Sequence, residues 1–148
     1  MIGIDLLQMP VSRNGYKYLF VAVDLLSRYA KATPVKDKTA KTISYVFRRD
    51  ILDDDLLGAP DCVLSDNGLE FCNNSFDGLL VTHGIDHRTT TPYNPKGNGT
   101  TERLNRTLLM LLRGTTHENL DWADAIPYVL RIYNHSRHEG LGMPRSRL

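Results

Sequence analysis

The chain has 148 residues, 41% hydrophobic and 24% charged, with a formal net charge of +1. That length fits one domain around one core and excludes a multidomain assembly, and no apolar run approaches the ~20 residues that span a bilayer, so a soluble chain is expected. The small net charge hides a pattern: residues 1–50 hold nine bases against four acids, residues 88–148 nine against five, and residues 51–87 eight acids with no lysine or arginine. Such a block is either a solvated acidic face or a cation-binding pole between two basic flanks.

Ile2 to Met9 is a short apolar run. Asn14-Gly15 is a strong hairpin signal, and Tyr18 to Leu26 follows it as a nearly unbroken apolar stretch rich in aromatic and β-branched residues, which predicts a central strand covered on both faces. Tyr29 to Val35 closes a third antiparallel strand before Lys36-Asp37-Lys38. From Thr39 the spacing turns helical, with Ala40, Ile43, Val46, Phe47 and Ile51 behind a threonine suited to cap the first turn, and the helix is expected to end near Asp53-Asp54-Asp55. Gly58-Ala59-Pro60 breaks the chain, Cys62-Val63-Leu64 reads as a buried strand, and Ser65-Asp66-Asn67-Gly68 as the turn after it. Phe76, Leu79 and Leu80 predict a helix, Gly84 to Arg88 a last strand, and Thr89 to Gly99 a loop. Two helices follow, one striped by Leu104, Leu108, Leu111 and Leu112, the other by Trp122, Ile126, Val129, Leu130 and Tyr133 with Pro127 as a kink or break.

Strands first, then strands alternating with helices, predict an α/β fold: a mixed sheet with helices on both faces. Ligands gather at strand ends in such sheets. Asp5 interrupts the first strand, Asp66 follows the fourth, and Glu102 stands in the first turn of the helix after Gly97-Asn98-Gly99-Thr100-Thr101. Each has a bland reading: a strand-end acid, a turn former, and a carboxylate meeting a helix dipole. An acid buried beside Ile2, Ile4, Leu6 and Leu7 without a partner or metal nevertheless costs several kcal/mol. Three acids so placed suit a hard divalent cation, and two such ions support in-line phosphoryl displacement without a serine, histidine or cysteine nucleophile. Cys62 and Cys72, the only cysteines, form no C-x-x-C pair, so a disulfide framework or cysteine-rich zinc site is not expected, and reduced thiols fit an intracellular compartment. Met1-Ile2-Gly3-Ile4-Asp5 lacks the basic-then-apolar order of a secretory signal.

Asp5, the run Leu64-Ser65-Asp66-Asn67-Gly68-Leu69-Glu70-Phe71, and the run from Thr90-Thr91-Pro92-Tyr93-Asn94-Pro95 through Lys96 and Glu102 to Leu108 together resemble the catalytic core of a retroviral or retrotransposon integrase, nearest the Ty3/gypsy type. Thirty-five residues separate Asp66 from Glu102, as in that family's DDE triad, and the likeness spans nearly the whole chain, including Tyr133-Asn134, His138 and Pro144. The resemblance implies a ribonuclease H-like fold over residues 1–148, with a five-stranded mixed sheet, and without the zinc-binding and DNA-binding domains that flank full integrases. It implies that Asp5, Asp66 and Glu102 are the catalytic residues and hold two Mg²⁺ or Mn²⁺ ions. It implies 3′-end processing and strand transfer on element ends and target DNA, a homodimer or higher oligomer, no membrane partner, and a nuclear place of action.

Asn67, Asn94, Lys96, Asn98, Arg103 and Arg106 surround the second and third acids and are of the types that hold phosphate and sugar oxygens, so DNA contacts are expected there; their bland reading is a solvated loop and helix face. Helical spacing puts Asn105 and Arg106 on the face of Glu102. Lys96 replaces the family's usual glutamine, Gln8-Met9-Pro10 its Gly-Pro-Leu, and Thr100-Thr101 its small aliphatic pair. Asp24 is assigned to structure, Glu70 to a supporting hydrogen bond near the site, and His135 and His138 to the surface. Core domains of that family pair through helical faces, and the two C-terminal amphipathic helices around Trp122 and Tyr133 are expected to serve for a homodimer. The alternative to an enzyme is a host-adopted domain that binds DNA or protein with its chemistry idle, and a stand-alone ribonuclease H-type nuclease is a further reading.

Overall fold

A computed structural model describes residues 1–91, 98–115 and 120–136. Its elements in chain order are β1 (Ile2–Gln8), β2 (Tyr18–Asp24), β3 (Ala30–Val35), α1 (Ala40–Phe47), β4 (Cys62–Ser65), α2 (Asn74–Thr82), β5 (Asp86–Thr89), α3 (Gly99–Thr115) and α4 (Trp122–His135). The sheet runs β3-β2-β1-β4-β5. β1, β2 and β3 are antiparallel neighbours, whereas β4 lies parallel to β1 and β5 parallel to β4. The middle position therefore belongs to β1, not to the more apolar β2.

Strand periodicity explains why two cores form. Alternate residues of β2 point to opposite faces, and both sets are fully buried. Phe20 and Ala22 join Ile43, Val46 and Phe47 of α1 and Phe76 and Leu80 of α2. Leu19, Val21 and Val23 join Leu104, Leu108 and Leu112 of α3 and Ile126 and Val129 of α4. Helices thus cover both faces, as the alternating pattern predicts.

Local signals hold at the turns. Gly15 takes φ 83, where a side chain is strained, and the hairpin closes through Gly15 N–H to Ser12 O (3.0 Å) and Met9 N–H to Lys17 O (2.8 Å). Thr39 caps α1 by accepting from Thr42 N–H, and Asn73 caps α2 by accepting from Phe76 N–H. After Phe47 the chain widens into a π-helical turn over Arg48–Leu52, closed by Asp53 N–H to Arg48 O at 2.9 Å, which buries Ile51 completely.

Two expectations need correction. Pro127 neither breaks nor ends α4, which runs through it to His135. Trp122, Ile126, Val129 and Tyr133 are buried along the helix, Trp122 Nε1 donates to Pro10 O at one end, and Asn134 is tied to β3 at the other; packing outweighs one lost backbone bond. Trp122 and Tyr133, at 8% and 6% exposure, are consumed by the chain's own core and present no face to a second copy.

Candidate active site

The parallel pairing Ile2↔Val63 and Gly3↔Leu64, continued two residues, sets Asp5 of β1 level with Asp66, the residue that follows β4. Opposed residues of parallel strands point to the same face at a spacing of about 4.8 Å. Two carboxylates thus meet where β4 ends, on the face that α3 covers.

Each acid is held by named donors. Asp5 Oδ1 accepts from Leu6 N–H at 2.8 Å and Oδ2 from Asn105 Nδ2 at 2.7 Å. Asp66 Oδ1 accepts from Gly68 N–H at 2.8 Å, an Asx turn that aims its carboxylate. Burial pushes the Asp5 carboxyl above the ordinary aspartate value, the bonds from Leu6 and Asn105 pull the other way, and the negative charges of Asp66 and Glu70 add to the rise. Glu70 curls back over Gly68, so that a β-carbon on Gly68 would lie 2.6 Å from Glu70 Oε1. Its charge is felt at Asp5, in place of the supporting hydrogen bond expected of it.

Helix α3 docks through small contacts. Thr101 is fully buried, and a β-carbon on Gly3 would come within 2.5 Å of its Oγ1, so only glycine fits in β1 there. Arg28, at φ 65 in the turn between β2 and β3, donates through Nη1 to Thr100 Oγ1. Glu102 N–H bonds Asn98 O at 3.0 Å, and Glu102 is exposed one helical turn before Asn105, on the same side as the Asp5 contact. Among the described residues, no three His, Cys, Asp or Glu side chains are grouped to hold a metal. The structure sets Asp5 level with Asp66, lets the charge of Glu70 be felt at Asp5, and leaves Glu102 exposed on the first turn of α3.

Of the expected DNA contacts, Arg103 and Arg106 are exposed on α3, and Asn67 is exposed while its Nδ2 donates to Thr90 O at 3.2 Å. Asn98 supplies the carbonyl that Glu102 N–H meets, and its Oδ1 is buried without a partner. Asn94 and Lys96 lie outside the described residues, as does His138. Asn105 does not face outward: it is 8% exposed and spent on Asp5. Sequence spacing put it on the right face of the helix but could not show that this face touches β1. Asp24 is structural, accepting from Ser27 N–H (3.0 Å) and Ser27 Oγ (2.7 Å). The acidic block is divided: Asp54 pairs with Lys31 at 2.5 Å and Asp77 with His87 at 3.1 Å, while the charges of Asp66 and Glu70 act on Asp5.

The donor set is all oxygen, its charges repel, and Asn105 Oδ1 and Thr101 Oγ1 are buried beside it without partners. Those features fit a hard divalent cation, which would relieve the repulsion. The integrase core domain family model matches residues 1–95, well over half of the chain. The chain belongs to the integrase core domain family.

As an integrase core it has retroviral relatives. It is 32% identical over 141 residues to the Gag-Pol polyprotein of feline leukemia virus, covering 93% of this chain but 8% of that protein. The catalytic core domain of BIV integrase superposes with a TM-score of 0.80 at 23% identity over 99% of this chain and 90% of that one. A chain of the simian T-cell lymphotropic virus intasome, in complex with PP2A regulatory subunit B56 gamma, gives a TM-score of 0.85 at 27% identity over 99% of this chain and 52% of that one. The ribonuclease H-like fold is thereby shown. The matched residues 1–95 include Asp5 and Asp66 and end before Glu102.

Proposed function

We propose that this integrase core is the catalytic unit of a DNA-joining enzyme, in which Asp5, Asp66 and Glu102 together hold two Mg²⁺ or Mn²⁺ ions for 3′-end processing and strand transfer. The observation that carries the reading is the register that seats Asp5 beside Asp66, with α3 docked across them through Asn105. Bound there, the ions supply an activated water or 3′ hydroxyl and charge neutralisation at the leaving oxygen. The chain's own residues do the rest. Leu6 N–H and Asn105 orient Asp5, the Gly68 turn orients Asp66, and the first turn of α3 carries Glu102 on the side that faces them. Arg103 and Arg106, exposed on α3, take backbone phosphates, with Asn67, Asn94, Lys96 and Asn98 completing the DNA path. Phosphate contacts supply most affinity for DNA, and with a net charge of +1 an isolated core binds weakly and reacts slowly.

We infer further that two copies pair through exposed apolar residues of α3 and α4, namely Met110, Tyr128 and Ile132, and that the enzyme acts in the nucleus. The nearer likeness to the Ty3/gypsy branch is supported by the Thr90-to-Leu108 motif alone.

The test is Mn²⁺-supported cleavage and joining of a branched DNA substrate, with Asp66→Asn and Glu102→Gln beside the parent. Activity in the parent and its loss in both folded variants is the expected result. A parent that binds Mn²⁺ and DNA yet never cleaves defeats the catalytic reading and leaves a DNA-binding module.

A further inference from the structure

Behind Asp66 lies a line of polar side chains that the proposed chemistry does not use. Ser65, the last residue of β4, is fully buried, and its Oγ donates to Asp66 O at 2.8 Å. The same Oγ lies 2.8 Å from His87 Nε2, and His87 Nδ1 lies 3.1 Å from Asp77 Oδ1. The parallel register Val63↔His87 and Ser65↔Thr89 makes Ser65 and His87 diagonal neighbours on one face of the sheet, the face that α2 covers with Asp77 in its first turn. The fully buried Phe76 ring packs edge-on against the imidazole, with centroids 5.7 Å apart at 80°, and fixes its plane.

Hydroxyl, imidazole and carboxylate in that order resemble a nucleophilic triad, but the chemistry here is different. Ser65 has no solvent exposure, so no substrate reaches it, and its single hydrogen is committed to Asp66 O. Nε2 is then the donor to Oγ, and the ring is held between Ser65 on one side and Asp77 on the other. The receiving end of the line is a backbone carbonyl, and that carbonyl belongs to the residue whose carboxylate faces Asp5. Holding Asp66 O fixes ψ of Asp66, while the Gly68 N–H bond to Oδ1 fixes its side chain. With both ends gripped, the carboxylate has one direction.

We propose that Ser65 and His87, braced by Asp77, are positioning residues that lock the Asp66 backbone and so aim its carboxylate for cation binding. This rests on the metal reading above and goes beyond it by assigning the relay on the opposite face of the sheet a part in the site. Partners outside the ligand sphere typically change metal affinity by about 10- to 100-fold when removed.

The experiment is a Mn²⁺ titration followed by water-proton relaxation for the parent, Ser65→Ala, His87→Phe, their double variant and the milder Asp77→Asn. Melting temperature and the Asp66, Asn67 and Gly68 amide cross-peaks are recorded for each. The relay predicts that each single change in Ser65 or His87 weakens Mn²⁺ binding about tenfold and displaces those three cross-peaks. The double variant should lose no more than either single one, because both act through one carbonyl, and Asp77→Asn should move the same cross-peaks less. Losses that add in the double variant, or melting temperatures that fall while Mn²⁺ affinity and the cross-peaks stay put, overturn the proposal and leave the relay as packing. A parent that takes up no Mn²⁺ overturns the metal reading and this inference with it, whereas a parent that binds and variants that bind equally overturn this inference alone.

Discussion

Asp5 sits in a run of apolar residues and yet is not orphaned: Leu6 N–H and Asn105 meet its two oxygens. Burial still dominates, and with the charges of Asp66 and Glu70 nearby it holds the carboxyl above its ordinary value. A carboxyl raised on folding keeps its proton more tightly in the folded state than in the unfolded one. Its contribution to stability is therefore complete in acid and is lost as pH climbs through the folded pKa, so at neutral pH the ionised group is a cost. Asp66→Asn keeps an oxygen for Gly68 N–H and removes one of the charges. In that variant the Asp5 carboxyl carbon, followed by NMR, should titrate at lower pH than in the parent, and the protein should melt higher at pH 7. A midpoint that stays or rises would show that Asp66 does not act on Asp5. The acid's type and place were legible in the sequence; Asn105 as its partner was not, because a hundred residues separate them and only the docking of α3 on β1 brings them together.

At the scale of elements, hydrophobic period was a good guide and polar clamps were invisible. Strand, turn and helix order follow from alternation, Asn14-Gly15 and the Thr39 cap, since each is decided within a few residues. The tie between α4 and β3 is of another kind. Asn134 Oδ1 accepts from Ala30 N–H and its Nδ2 donates to Ala30 O, both at 2.9 Å and both buried. β3 is an edge strand, and this side-chain amide imitates one more strand beside it. Asn134→Ala leaves a buried donor and acceptor unpaired, and at about 1–3 kcal/mol for each such group the loss should be roughly 2–6 kcal/mol. Urea denaturation reads it directly; a change under 1 kcal/mol would mean that the two backbone groups find other partners. The Lys31–Asp54 pair adds a smaller tie, holding Asp54 below its usual range, although burial opposes this, and its contribution fades as pH falls through that lowered value.

For the whole molecule, two helical layers cover the faces of one sheet, and the strand ends are where an α/β sheet of this kind meets a polar ligand. Carboxylates set side by side repel, and a cation bound between them would relieve that repulsion, so under the proposed reading the folded state gains by mass action from the ion and the unfolded chain does not. At a tenfold excess over Kd the gain is about 1.4 kcal/mol, or roughly 3–6 °C in melting temperature for a domain of this size. Mn²⁺ should raise the melting temperature of the parent and not that of Asp66→Asn; equal rises in both would place the ion elsewhere. The fold class and the order of elements were determined by the sequence by itself, because periodicity, turn chemistry and motif spacing are local or linear properties. Which strand is central, that Trp122 and Tyr133 are core, that Asn105 of α3 meets Asp5 of β1, and that Ser65, His87 and Asp77 form one line were decided by the tertiary structure alone. Those facts depend on register and on helix docking, which join residues whose distance along the chain carries no signal of their contact.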